Sequence, residues 1–227
     1  MSIVVPVLDE GPGLGPRLAR LQPMRDRGVA VLVVDGGSRD ASAGIAKAHA
    51  DRVLTAPRGR ASQMNAGAAA CTSDALLFLH ADTALPDFAD RMILDAIARG
   101  ARWGRFDVRI DDQRLVFRVV ERMMNLRSRL TGVATGDQAL FVRRDLFESV
   151  GGYPDIALME DVALSKTLRR HARPACLRAK VTTSARRWQR HGVLHTIALM
   201  WWLRAAYFCG ADPARLASLY ASDRRDR

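Results

Sequence analysis

Acids stand directly behind short apolar runs at three places in the first half of this 227-residue sequence. Asp9-Glu10 follows Val4-Val5-Pro6-Val7, Asp35 follows Val33-Val34, and Asp82 follows Leu76-Leu77-Phe78-Leu79 with His80 two residues before it. A carboxylate at the end of a strand can accept hydrogen bonds from a base edge or a ribose hydroxyl. A hard divalent cation needs few carboxylates when substrate phosphates complete its shell, so one acid such as Asp82 suffices for Mg²⁺ or Mn²⁺. His80, a nitrogen donor, suits a positional role better than ligation of such a cation. Arg58-Gly59-Arg60 opens a small-residue helix containing Gln63, Asn65 and Gly67, and arginines at a helix start make a place for phosphate. Farther along, Glu160-Asp161 opens another helical segment, where one acid can cap while the other faces a cleft. Each of these residues taken singly reads equally well as a cap or a solvated loop.

The elements that must position them alternate. Ile3 to Leu8, Val29 to Val34, Arg52 to Thr55 and Ala75 to Leu79 read as strands. Helices are expected over Arg17 to Arg27, Ala41 to Ala50, Ala61 to Ala70 and Asp87 to Arg99. The apolar runs are continuous, as in strands buried on both faces, and strand–helix repetition implies right-handed crossovers. Beyond Gly100 the pattern reads as a strand (Trp103 to Ile110), a long Arg-rich helix (Gln113 to Leu130) and a strand (Gln138 to Val142). Helices follow over Asp145 to Val150, Asp161 to His171, Arg187 to Cys209 and Pro213 to Ala221. The expected fold class is α/β: a Rossmann-type, mixed or mostly parallel sheet flanked by helices, with a helical C-terminal segment. It divides into a nucleotide-type half (about 1–100), an acceptor half (about 101–190) and C-terminal helices (about 191–227) of one domain. In such sheets ligands sit beyond the carboxyl ends of the strands, so the three strand-end acid sites share one rim.

Composition narrows the class. Hydrophobic residues at 48% and charged residues at 26% exclude a disordered or collagenous chain. Net charge is +11, and all basic residues except Lys47, Lys166 and Lys180 are arginine, which suits anionic partners. Genome composition explains the arginine bias equally well. Cys71, Cys176 and Cys209 are far apart and form no C-x-x-C pair, so a reducing, cytoplasmic setting is expected. No secretory signal is evident at the N-terminus, and no apolar run approaches the roughly 20 residues of a spanning helix. Neither G-x-G-x-x-G nor G-x-x-x-x-G-K-[ST] is present, which disfavours a dehydrogenase and excludes a P-loop.

In order, Val4 to Glu10, Val33 to Asp40, Arg60 with Asn65-Ala66-Gly67, Phe78 to Asp82, Thr135-Gly136-Asp137-Gln138, Gly151 to Pro154, Glu160-Asp161 and Arg186-Arg187-Trp188 resemble the family 2 glycosyltransferases over roughly residues 3 to 190. The resemblance implies the GT-A fold and a nucleoside-diphosphate-sugar donor. It places Asp35 on the base or ribose with Asp9 and Glu10 beside it, Arg60 and Asn65 on the nucleotide side, and Asp82 on the metal. Asp161 becomes the general base with Glu160 supporting it, and Arg187 and Trp188 lie near acceptor and diphosphate. Two departures stand out. His80 occupies the position of the first D-x-D acid, and Thr183-Ser184-Ala185-Arg186 replaces the Q-x-x before Arg187-Trp188, which disfavours processive synthesis.

Gly192 to Cys209 is rich in apolar and aromatic residues between arginine-rich flanks. It fits a membrane interface at the inner face, the domain's own surface or a homodimer contact. With Arg114, Arg118, Arg122, Arg127 and Arg129 it makes the back lobe suited to a lipid or acidic acceptor. Two rival readings are a nucleotidyltransferase, which releases pyrophosphate, and a basic membrane- or polyanion-binding module. No nucleic-acid-binding motif is present, so nucleic acid is not an expected partner.

Overall fold

The structure, a computed structural model, describes residues 1–222, without the side chains of residues 187, 221 and 222. The first half runs β1 (Ser2–Val7), α1 (Leu14–Ala19), α2 (Gln22–Arg25), β2 (Ala30–Asp35), α3 (Ser42–His49), β3 (Arg52–Thr55), α4 (Arg60–Ala69), β4 (Ala75–Phe78), β5 (Thr83–Ala84) and α5 (Ala89–Ala98). The second runs β6 (Trp103–Asp111), α6 (Leu115–Thr131), β7 (Leu140–Arg143), α7 (Arg144–Ser149), α8 (Glu160–His171), β8 (Ala175–Ser184), α9 (Arg186–His191), α10 (Val193–Phe208) and α11 (Pro213–Ser222). One eight-stranded sheet joins both halves in the order β3-β2-β1-β4-β7-β6-β8-β5. β3, β2, β1 and β4 pair in parallel; β7 is antiparallel to β4 and β6, and β8 is parallel to β6. The sheet is therefore mixed, with the parallel part forming the rim of acids.

β1 is buried along its whole length because both its faces are covered. Ile3, Val5 and Val7 pack with Leu14, Leu18 and Ile93 on one side, while Val4 packs with Met64, Leu164 and Leu168 on the other. α4 lies closest. A Cβ at Gly67 would overlap Val4 Cγ1 and come within 2.9 Å of Val34 Cγ2. Gly67→Ala should accordingly lower stability by about 1–3 kcal/mol, as overpacking does, with the denaturation midpoint as readout.

Three elements differ from the sequence reading. The helix expected over Arg17 to Arg27 is two short ones, because Pro23 in the first turn of α2 has no N–H to continue the ladder. The helix expected over Arg187 to Cys209 breaks at Gly192, whose φ of +81° is left-handed. β8 has no counterpart in the sequence reading, although Leu177, Ala179, Val181 and Thr183 alternate with Arg178, Lys180 and Thr182.

α6 is fixed on the sheet by polar side chains that serve backbone groups. Glu121 accepts the Ile110 N–H at 2.6 Å and Asn125 accepts the Val108 N–H at 2.8 Å. Arg129 adds an ion pair to Asp107 at 2.7 Å. The C-terminal pair α10–α11 buries Leu203 and Leu216 against Val133, Met159 and Val162, at the start of α8. Among the described residues no helix is long and apolar enough to cross a membrane.

Candidate active site

The loops after β1 and β2 are laced together. The Asp9 N–H donates to Ser38 Oγ at 3.0 Å, and the Asp9 carboxylate accepts the Arg39 N–H at 2.8 Å. The Gly11 N–H donates to Asp40 at 2.8 Å, and Glu10 and Gly11 both donate to Ser42 Oγ. These bonds hold Asp9 at a φ of +51°. Asp35 is 5% exposed. It accepts the Gly37 and Ser38 amides at 3.1 Å and the Ser38 hydroxyl, so its first task is to shape this loop. Each carboxylate oxygen can accept more than one bond, which leaves Asp35 capacity for a ligand hydroxyl.

Glu10 pairs with Arg17 at 3.3 Å, and Arg17 reaches on to the Ala81 carbonyl at 3.4 Å, bracing the β1 loop against the β4 loop. Burial first, then the charge of Asp82, push the Glu10 carboxyl up; Arg17 and Arg186 pull it down. The charges of Glu10 and Asp82 thus act on each other at the rim. Among the described residues, Asp82 itself accepts only a long bond from Thr83 Oγ1 at 3.4 Å. His80 is lowered to about 4 by burial and then by Arg60, against Asp82 and Asp137, so the imidazole is neutral at physiological pH. Its ring lies on the Gly136 backbone, where a Cβ would overlap it.

Gly136 connects the rim to the second pair of acids. It opens a tight turn, Gly136–Gln138, closed by the Gln138 N–H on the Thr135 carbonyl at 2.8 Å. The Gly136 N–H donates to Asp161 Oδ2 at 2.6 Å, while Asp161 Oδ1 accepts the Val162 N–H at 2.7 Å. One loop therefore touches His80 on one side and Asp161 on the other. Glu160, the first residue of α8, is 3% exposed. Its carboxyl is pushed up to about 7, by burial first and the Asp161 charge second, with Arg60 opposing. Arg60 thus acts electrostatically on both His80 and Glu160 from the start of α4. A cavity of about 350 Å³ opens beside it, lined by Arg58, Gly59, Asp155–Ala157 and the Asp212–Ala214 turn.

An acid raised in the folded state favours folding when protonated. That contribution is complete below its ordinary value of 4.5 and is lost as pH rises through about 7. Glu160→Gln, which cannot ionise, is expected to raise Tm by a few degrees at about pH 8 and to leave it near wild type at about pH 4. Scanning calorimetry at the two pH values checks this.

The other expected site residues fall elsewhere. Asn65 gives both ends of its amide to the Tyr153 backbone, at 2.8 and 2.9 Å, clasping the Gly151-Gly152 turn onto α4. Trp188 packs edge-on against Phe117, ring centroids 6.0 Å apart, in a cluster with Ile110 and Val120. The Arg187 side chain lies outside the described residues; its neighbour Arg186 is the one whose charge acts on Glu10. Conversely, Arg127 of α6 was read only as part of a basic row. It is lowered to about 10 by burial and then by Arg204 of α10, while Asp137 and Asp161 oppose the shift. Its Nε and Nη2 are buried without a hydrogen-bond partner. The Tyr207 hydroxyl of α10 is raised by burial and then by Asp161. α10 therefore forms the far wall beside Asp161, which helical periodicity alone does not reveal.

Among the described residues no three His, Cys, Asp or Glu side chains form a ready-made metal cage. Asp82, with Glu10 on the same rim, nonetheless offers hard oxygen donors of the kind Mg²⁺ and Mn²⁺ accept when a diphosphate supplies the rest.

The sequence model of Glycosyl transferase family 2 matches residues 2–151, more than half of the chain. No curated protein sequence matches the chain significantly. Among solved structures, S. aureus TarS superposes with a TM-score of 0.64 and 14% identity, over 81% of this chain and 36% of TarS. The chain thus spans about a third of the length of TarS. Glucosyl-3-phosphoglycerate synthase from Mycobacterium tuberculosis, solved with Mn²⁺, UDP and phosphoglyceric acid, gives 0.60 and 16%, over 80% of this chain and 68% of that one. The mannosyltransferase PcManGT from Pyrobaculum calidifontis, solved with GDP-Man and Mn²⁺, gives 0.61 and 18%, over 98% and 69%. At these identities the likeness is one of fold, the GT-A arrangement of a mixed sheet between helices. The family match runs from β1 through α7 and takes in Asp9, Glu10, Asp35, Arg60 and Asp82 on the rim. The chain belongs to glycosyl transferase family 2.

Proposed function

We propose that the chain transfers one sugar at a time from a nucleoside-diphosphate sugar to an acceptor hydroxyl, with inversion at the sugar carbon and with the aid of Mg²⁺ or Mn²⁺. What supports this reading most is the Thr135–Gln138 loop, which contacts His80 beside the Asp82 rim and Asp161 at the start of α8. Donor and base groups are thereby coupled through one short segment.

In this reading the β1 and β2 loops, with Asp9, Glu10 and Asp35, receive the nucleotide. Asp82 is the residue that would hold the divalent cation. When bound, such a cation supplies Lewis-acid stabilisation of the charge on the departing nucleoside diphosphate. Arg60 adds a fixed positive charge on the same side. Asp161 accepts the proton of the acceptor hydroxyl as that oxygen's lone pair attacks the sugar carbon and the bond to the diphosphate oxygen breaks. Its two backbone bonds fix the carboxylate in place. Glu160 and Tyr153 are buried groups that its charge acts on, and the positive charge of Arg127 is coupled to it and to Arg204, which suits an acceptor bearing a negative group. The fold relatives were solved with UDP or GDP-Man, so uridine and guanosine sugars are the first donors to try.

Product analysis tests the reading. Incubation with a nucleotide sugar, Mn²⁺ and candidate hydroxyl acceptors should release nucleoside diphosphate. Release of pyrophosphate instead would make the chain a nucleotidyltransferase.

A further inference from the structure

The outward faces of α6 and α10 are apolar. On α6, Leu115, Val119, Met123, Leu126 and Leu130 are 81, 54, 52, 57 and 77% exposed. Their spacing of three or four residues makes one continuous stripe. On α10, Leu194, Trp201 and Phe208, seven residues apart, are 80, 63 and 57% exposed, with Trp202 beside them. The two helices are neighbours, since Phe117, Val120 and Met124 of α6 pack in one cluster with Trp188, Val193 and Ile197. Scattered exposed apolar residues need no explanation, but two adjoining stripes of this size mark a surface meant to be covered.

Charge selects what covers it. The helices of this face, α6 and α10 with the short α9 that precedes α10, carry eight arginines and one acid. On α6 the sole acid, Glu121, is buried and paired with Arg118 at 2.9 Å. A second copy of the chain would bring the same positive charges to the same face, so self-association opposes itself electrostatically. The complementary partner is apolar and negative.

We propose that the α6–α10 face seats this chain on the surface of an anionic lipid bilayer. The apolar stripes enter the headgroup–acyl boundary, the tryptophans sit at the interface, and the arginines meet lipid phosphates. No described helix can span the bilayer, so the contact is peripheral. Tyr207 of α10 packs in one cluster with Met159 and Val162, which bracket Asp161 in sequence, so the bilayer lies next to the cleft.

Vesicle flotation of the full chain tests this without reference to activity. The chain should float with vesicles of equimolar phosphatidylcholine and phosphatidylglycerol and stay behind with phosphatidylcholine alone. The double variant Leu126→Glu/Trp201→Glu should reduce the bound fraction by about tenfold or more, since both side chains leave the interface and two negative charges oppose the lipid. Both positions are exposed, so its Tm should stay within about 2 °C of wild type, separating lost docking from lost folding. Equal flotation with both vesicle compositions would overturn the proposal, as would undiminished binding of the double variant. A wild-type dimer in light scattering that the double variant dissolves, with no flotation, would assign the face to a second copy instead.

Discussion

Asp161→Asn is expected to leave donor binding intact and to lower kcat by about 10²–10⁴, the usual cost of a positioned base. The substitution conserves shape. Asn Oδ1 can still accept the Gly136 N–H that the carboxylate now takes at 2.6 Å, giving up only the bond from its neighbour Val162 at the open start of α8, so the Thr135–Gln138 loop and the His80 ring seated on Gly136 should stay in place. What disappears is the negative charge able to take the hydroxyl proton. Glu160 is the adjacent acid that could substitute, since its carboxyl stands at about 7. It is buried, and Glu160→Gln should therefore keep most of its turnover. If Glu160→Gln is the dead variant and Asp161→Asn the active one, the two roles are exchanged. Single-turnover rates with saturating donor separate the cases, because they exclude effects on binding.

Asp82→Ala is expected to abolish the metal dependence of donor binding. It should reduce kcat/KM on the order of a thousandfold, reflecting the several kcal/mol that a cation on a leaving diphosphate supplies. The fold should not suffer. Asp82 makes only the 3.4 Å contact with Thr83 Oγ1 and no ion pair among the described residues. Removing its charge should also let the Glu10 carboxyl fall back towards its ordinary value, since Asp82 is the second cause raising it. Unchanged metal-dependent affinity in this variant would place the cation elsewhere.

The first half of the molecule was legible because its strands are buried on both faces. Continuous, short, β-branched runs such as Ile3 to Val7 and Val31 to Val34 read as buried strands with acids at their ends. The rim of Asp9, Glu10, Asp35 and Asp82 followed from that alone. The second half carries weaker local signals. β8 alternates, but Arg178 and Lys180 lower its apolar content, and its pairing to β6 is long-range. Gly192 marks a helix break that an apolar count over the segment cannot see. A polar side chain that serves a distant backbone reads in the sequence like one that serves a ligand. Asn65 sits near the right helix, yet its amide is used up on Tyr153, 88 residues away. Arg127 and Arg204 stand out in the sequence only as basic residues, for the opposite reason. Each is one arginine among many until α6 and α10 bring them together beside Asp161.

The central claim is that the acid rim binds a nucleoside diphosphate through a cation held by Asp82. Thermal unfolding with UDP, GDP, dTDP or CDP, each with and without Mn²⁺, tests it most directly. One nucleotide at about a hundredfold excess over its Kd should stabilise the chain by about 2.7 kcal/mol and raise Tm by about 5–10 °C, only with metal present. The shift should vanish in Asp82→Ala. A shift that needs no metal and survives Asp82→Ala, or no shift with any of the four nucleotides, would contradict the claim.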